Sequence, residues 1–289
     1  MNLLEKIILG TVQFGIEYGI NNKTGITKEV EVKSIFDYAF QNNIKTLDTA
    51  ESYGKAQILI GKYHKNSKNK FNINTKYYSK SKLNNFKNNI LEDLKILNVE
   101  NINCYMFHSY KDFILNYDIN KNDINELKKQ GIIKKMGVSI YTNKELLYMI
   151  NHKDVEVIQL PFNLLDNNSQ RKKLLIQAKY NNKIIHVRSV FLQGLFFMNE
   201  DLIPTKIKAL QPFLNLLKKI ADDCELNINT LALNYVLQQN HIDKIIIGVE
   251  TKNQLISNFQ LVHLNSETIK RIDSIKIKDP ELLYPINWT

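Results

Sequence analysis

Four residues of this chain combine types and spacing that suit proton delivery to a developing oxyanion: Asp48, Tyr53, Lys76 and His108. Each stands at, or just past, the end of a short apolar run. Ile44 and Leu47 lead to Asp48, and Tyr53-Gly54 follows in the adjoining loop. The run from Phe71 ends on Lys76, and the run from Ile102 ends on His108. An unperturbed phenol titrates at roughly 10 and is a weak acid near neutrality. An ammonium beside it stabilises the phenolate, so Lys76 is expected to lower Tyr53, with Asp48 holding Lys76 in place. His108 is expected to donate a hydrogen bond to a substrate carbonyl. Taken singly, a loop tyrosine packs, a strand-end aspartate caps a helix and a strand-end histidine satisfies backbone. The chemistry depends on all four meeting at one mouth.

The elements that must bring them there alternate regularly. Short apolar strands are expected at 6–10, up to Asp48, and at 71–76, 102–108, 132–138, 155–160, 183–187 and 244–247. Helical patterns lie between them: 28–42 with Thr27 as cap, a helix holding Ile58, Leu59 and Ile60, 84–97, 143–151, 169–180, 206–222 and 230–239. A short loop over 109–122 precedes a helix ending at Gly131, and a last helix starts near Thr251. Parallel strands need crossovers, so eight strand–helix units predict an α/β fold, the (β/α)8 TIM barrel, as one domain over 1–289. A doubly wound sheet also alternates, but Gly10-Thr11-Val12-Gln13-Phe14-Gly15 has the wrong spacing for a dinucleotide-binding turn. Barrels gather their sites at the C-terminal ends of the strands, which is where these four residues fall.

Composition narrows the function classes. With 44% hydrophobic residues the chain can fill one large core. The formal charge of +10 comes from lysines spread through helices and loops, without a basic-aromatic block, so a solvated surface is expected rather than a nucleic-acid partner. The two cysteines, Cys104 and Cys224, share no metal or redox spacing, and no stretch reaches membrane-spanning length. A cytoplasmic protein is the expectation. His64, His152, His186, His241 and His263 form no metal-ligand spacing and read as structural.

Several segments carry a family resemblance over nearly the full length. They are Leu47-Asp48-Thr49-Ala50-Glu51-Ser52-Tyr53-Gly54, Asn74-Thr75-Lys76, Tyr105-Met106-Phe107-His108, Lys135-Met136-Gly137-Val138-Ser139, Ile158-Gln159-Leu160-Pro161-Phe162-Asn163, and Ile246-Ile247-Gly248 through Asn258. The chain resembles the aldo-keto reductases. That resemblance implies Asp48, Tyr53, Lys76 and His108 as a catalytic tetrad and NADP(H) or NAD(H) as cofactor, with hydride transfer between nicotinamide and a carbonyl or alcohol. Ser139 and Gln159 match residues that hold the nicotinamide carboxamide, although Ile140 replaces the usual Asn. Arg188 stands where an aromatic ring often stacks on nicotinamide, and a planar guanidinium can stack too. Ser189, Phe191, Gln193 and Gly194 fall in the pyrophosphate loop, with Val190 where proline is common. Gly248, Glu250, Gln254 and Asn258 fall in the segment gripping the adenosine end. Glu250 there would accept ribose hydroxyls and repel a 2′-phosphate, so NADH is expected to bind at least as well as NADPH; Lys252 is the group that would rescue the phosphate.

The resemblance further implies a small-molecule carbonyl or sugar substrate, nucleotide-sugars included, and a monomer. Tyr18, Tyr77, Tyr110 and Trp288 are candidates for lining the pocket. Two other readings stay open at this point: a class I aldolase forming a Schiff base on Lys76, and a barrel that binds nucleotide without turnover.

Overall fold

The strands β1 (Ile7–Gly10), β2 (Thr46–Asp48), β3 (Asn72–Tyr77), β4 (Cys104–Phe107), β5 (Met136–Ser139), β6 (Val157–Pro161), β7 (Ile184–Arg188) and β8 (Lys244–Gly248) close into one parallel barrel in chain order. The seam is in register, with Ile7 opposite Ile245 and Gly10 opposite Gly248. This computed structural model describes residues 3–78 and 85–288. Helices α1 (Glu29–Gln41), α2 (Ala56–Asn66), α3 (Phe86–Leu97), α4 (Tyr110–Lys129), α5 (Asn143–Asn151) and α6 (Asn168–Tyr180) fill the first six crossovers. α7 (Gln211–Asp223) and α8 (Ile228–Leu237) share the crossover after β7, and α9 (Lys252–Ser257) and α10 (Ser266–Asp273) follow β8.

Strand periodicity sorts the core into two layers. In β4, Tyr105 and Phe107 belong to the large cluster beneath the helices, whereas Cys104 and Met106 join Val157 in a small cluster of their own. Both layers are buried, which is why these strands read as unbroken apolar runs.

Three local expectations need correction. The loop expected over 109–122 is helix: α4 begins right after Ser109, whose hydroxyl accepts from the Asp112 N–H at 3.0 Å. Its buried face is only Phe113, Tyr117, Ile124 and Leu127, and the many Asn and Asp residues between them disguise the period. Gly131, at φ +72°, then ends the helix region as expected. Thr27 does not cap α1; its hydroxyl donates to the Glu250 carbonyl at 3.3 Å, tying the β1 loop to the β8 loop. The 206–222 helix starts as a 3-10 turn, Thr205–Leu210, and becomes α-helical at Gln211 with Pro212 in the first turn, where its missing N–H costs nothing. The expected start of the 84–97 helix, Asn84, lies outside the described residues; Asn85 caps α3 by accepting from the Asn88 N–H at 3.0 Å.

Candidate active site

The strand ends bring the four residues into contact. Lys76 Nζ donates to Asp48 Oδ1 in an ion pair buried from solvent, and also to the Thr49 carbonyl at 3.2 Å. The second Asp48 oxygen accepts from Gln159 Nε2 at 2.9 Å, so both carboxylate oxygens are committed. The Lys76 ammonium lies 5.3 Å from the Tyr53 ring centre, and the Tyr53 and His108 rings meet edge to face at 5.7 Å. His108 Nδ1 and the Ser52 hydroxyl share a hydrogen bond of 3.3 Å.

Tyr53 is held by backbone rather than by its hydroxyl. The loop carrying it packs against the loop after β1 so tightly that a Cβ on Gly15 would lie 1.7 Å from the Tyr53 carbonyl oxygen. Gly54, at φ +53°, meets the Gly15 carbonyl in the same way, at 2.3 Å. A side chain at either position would force the two loops apart.

The electrostatics depart from one expectation. Tyr53 is raised above the ordinary phenol value, by burial first and the Asp48 charge second, with Arg188 pulling only partly against them. Lys76, paired with Asp48, does not lower the phenol as its residue type alone predicts. His108 is lowered to about 3, by burial and then by the Lys76 and Arg188 charges, so its imidazole is neutral at physiological pH. Tyr18 is pushed up to about 12, chiefly by burial.

Beside the four sits a carboxyl that sequence reading passed over. Glu51 accepts from the Tyr105 hydroxyl at 2.9 Å, and burial raises it to about 7. Between about 4.5 and 7 the folded protein therefore keeps a proton that the unfolded chain has released, so Glu51 lowers stability as pH rises through that window. Glu51→Gln should flatten the loss of thermal stability between pH 5 and pH 8, leaving the slope due to buried Asp93, which is raised in the same direction. Melting curves at the two pH values check this; an unchanged pH slope would refute it.

A cavity of about 530 Å³ opens from Asp48 and Tyr53 and runs to Glu250. Of the residues expected to hold a cofactor, Gln159 and Arg188 line its inner end. Ser189, Phe191, Gln193 and Gly194 line one wall, and Gly248, Glu250, Gln254 and Asn258 line the outer end. Ser139 does not line it. That side chain is buried at the end of β5, paired in register with Gln159, and it is the Gln159 amide that reaches the cavity. Tyr18 lines the cavity, whereas Tyr77 packs on Phe86 and Phe107, Tyr110 on Tyr148, and Trp288 donates to the Leu282 carbonyl in the tail.

Several lining features were not legible in the sequence. Gln13 lies against Gly248 and keeps a buried Oε1 with no hydrogen-bond partner among the described residues. The wall after β7 is a chain of unusual backbone: Ser189, Leu192 and Gln193 all have positive φ, at 59°, 47° and 54°, a costly arrangement for residues with a Cβ. The loop after β1 leans on that wall, with the Ile20 N–H donating to the Gln193 carbonyl at 3.1 Å and Gln193 Nε2 to the Tyr18 hydroxyl at 2.9 Å. Its other end reaches Glu250 through the Thr24 hydroxyl at 3.3 Å. The segment from Tyr18 to Thr24 thus straps across the cavity.

Comparisons with known proteins agree with this architecture. The chain resembles the NADH-specific methylglyoxal reductase of Escherichia coli at 24% identity over 192 residues, which span 61% of this chain and 59% of that protein. It also resembles the uncharacterized oxidoreductase YqkF of Bacillus subtilis, at 23% identity over 94% of this chain and 96% of that one. Among solved structures, the holo form of the aldo-keto reductase AKR11C1 from Bacillus halodurans superimposes with a TM-score of 0.74 at 18% identity, covering 93% of this chain and 91% of that one; at this identity the likeness speaks for the fold. The sequence matches the Aldo/keto reductase family across residues 6–277. With that match spanning all eight strands, the chain belongs to the aldo/keto reductase family, whose members are NAD(P)(H)-dependent oxidoreductases.

Proposed function

We propose that this protein reduces a small polar carbonyl compound with NADH, with Tyr53 as the general acid. The observation that carries the reading is the arrangement at the cavity floor: a buried Asp48–Lys76 pair under Tyr53, with neutral His108 against the same ring. A nicotinamide dinucleotide, with its carboxamide N–H and ribose hydroxyls, fits the acceptors present. Gln159 spends its N–H on Asp48 and keeps its carbonyl for a carboxamide, Gln13 keeps an unpartnered buried oxygen, and Glu250 offers a carboxylate at the far end. When bound, that cofactor supplies the hydride.

The side chains handle the proton and the negative charge. Burial keeps Tyr53 protonated through neutrality, so its O–H is available to an oxyanion forming at the substrate oxygen. In the tautomer where the Ser52 hydroxyl donates to Nδ1, His108 carries its proton on Nε2, the nitrogen left to donate to the same oxygen. Asp48 fixes Lys76 beneath the phenol, and Gln159 fixes Asp48. This pinning also weighs against an aldolase: an amine tied to a carboxylate and a backbone carbonyl is a poor Schiff-base nucleophile.

The preference for NADH over NADPH rests on the outer end of the cavity. Glu250 lines it, while Lys252, the candidate for rescuing a phosphate, holds its ammonium 5.4 Å from the Tyr38 ring centre and does not line it. Glu250→Gln should narrow the preference for NADH, and Glu250→Arg should invert it. Parallel fluorescence titrations with the two cofactors decide; a preference that ignores position 250 would rule out the carboxylate as the reader.

The substrate class follows from the mouth. α4 starts immediately after Ser109, so no long loop from β4 narrows the entrance, and sugars as well as short aldehydes can reach Tyr53. The relative in Escherichia coli named for methylglyoxal supports the small-carbonyl end of this range. We read the whole chain, 1–289, as one monomeric cytoplasmic domain acting on small molecules rather than on nucleic acid or at a membrane. Among the described residues no helix is long and apolar enough to cross a membrane. Lysines paired on the surface, such as Lys33–Asp37 and Lys62–Glu29, support the solvated reading of the charge. The test is NADH consumption with a panel of methylglyoxal, short aldehydes and reducing sugars. Absence of cofactor binding at high micromolar concentration would defeat the proposal.

A further inference from the structure

One side chain at the mouth has a charge that the proton chemistry does not use. Arg188 ends β7, and its guanidinium lies over the Tyr141 ring at 4.3 Å. Its other contacts are neutral and long: Nη2 to the Ile140 carbonyl at 3.2 Å and Nη1 to the Ser189 hydroxyl at 3.4 Å. Among the described residues no carboxylate pairs with it. The neighbouring charges cancel without it, because Lys76 is paired with Asp48, and Tyr53 and His108 are neutral. The inner end of the cavity therefore carries one uncompensated positive charge, in a half-buried setting where water screens it poorly.

That charge reaches the reacting end. Arg188 lines the same cavity as Asp48, Tyr53 and Gln159, and it pulls down both the Tyr53 phenol and the His108 imidazole. A ring that passes hydride to a carbon whose oxygen rests on Tyr53 must sit within the same field. The reduced nicotinamide ring is neutral, and the oxidised ring carries a positive charge. The geometry points to Arg188 as the residue that discriminates the redox state of the cofactor, favouring NADH over NAD⁺ by like-charge repulsion of the oxidised ring. This rests on the cofactor reading above and goes beyond it, since it gives the site a direction. The reduced form is held, the spent form is released, and the enzyme stays a reductase even in a pool rich in NAD⁺.

The test is binding, separate from turnover. Dissociation constants of NADH, NAD⁺ and the neutral, unreactive 1,4,5,6-tetrahydro-NAD are measured for the wild type, Arg188→Met and Arg188→Lys. The wild type should hold the two neutral rings more tightly than NAD⁺. Arg188→Met should tighten NAD⁺ relative to NADH on the order of tenfold, the scale of two like charges across a partly dry site, and Arg188→Lys should keep most of the wild-type ratio. A tenfold change in that ratio moves the potential of the bound two-electron couple by about 30 mV. An unchanged ratio in the Met variant overturns the inference, as does a Lys variant that shifts as far as Met. If neither variant folds, the wild type still decides: tetrahydro-NAD binding as weakly as NAD⁺ overturns it. Failure of the wild type to bind any of the three would instead defeat the cofactor reading.

Discussion

Tyr53→Phe is expected to slow carbonyl reduction by about 10²–10⁴-fold, the usual worth of a positioned general acid, while NADH binding stays nearly unchanged. Phenylalanine keeps the ring that meets His108 and lies above Lys76, and removes only the proton donor. Stopped-flow turnover and cofactor titration of the same preparation separate the two effects. Reduction at the wild-type rate would mean that another group delivers the proton. The pH profile of the wild type adds a second check. A free histidine would give a step at roughly 6.5, but burial holds His108 near 3, so it stays neutral from pH 5 to pH 8. Tyr53 is raised above the ordinary phenol value and keeps its proton throughout that range. The reductive rate at saturating cofactor should therefore be flat between pH 5 and pH 8. A step of tenfold or more inside that window would show an ionising group at work that these two residues do not account for.

Lys76→Met should cost both activity and stability. It removes one half of a buried pair whose side chains are 1% and 5% exposed, leaving the Asp48 carboxylate with only the Gln159 amide. Stranding a buried charge in this way typically destabilises by about 3–5 kcal/mol. Neutralising both partners, Asp48→Asn with Lys76→Met, removes the stranded charge and should recover part of the stability without recovering activity. Denaturant unfolding of the two single variants and the double variant tests this. Additive losses would mean that the two side chains do not act as a pair. The same cycle addresses the aldolase alternative, because a Schiff-base enzyme loses all covalent trapping in Lys76→Met, whereas a reductase has none to lose.

Much of this molecule was legible without coordinates, for reasons that are local. Parallel strands buried on both faces leave unbroken apolar runs such as Cys104–Phe107, and the residues that end those runs point to one mouth by topology alone. Asp48, Tyr53, Lys76 and His108 could be singled out because chemistry at a barrel mouth has fixed addresses along the chain. Thr251 could be placed at a helix start because a capping box, here closed by Gln254, lies within one turn.

What sequence reading lost depends on contacts between distant segments or on burial. The first part of α4, up to Asn122, reads as a loop because only four of the helix's residues are buried, and which face is buried depends on the helices around it. Thr27 had the composition of a cap, but a carbonyl more than two hundred residues away competes for its hydroxyl. The strap from Tyr18 to Thr24, the Gln13 amide against Gly248 and the guanidinium of Arg188 on Tyr141 each join loops from different strands. The shift of Tyr53 had the opposite sign to the one expected from residue types. A lysine near a tyrosine predicts a lowered phenol, but the fold pairs that lysine with Asp48 and buries the phenol, and desolvation, reinforced by the Asp48 charge, sets the sign. Residue type and spacing set which groups meet, whereas the sign and strength of their fields depend on how much water the tertiary structure leaves between them.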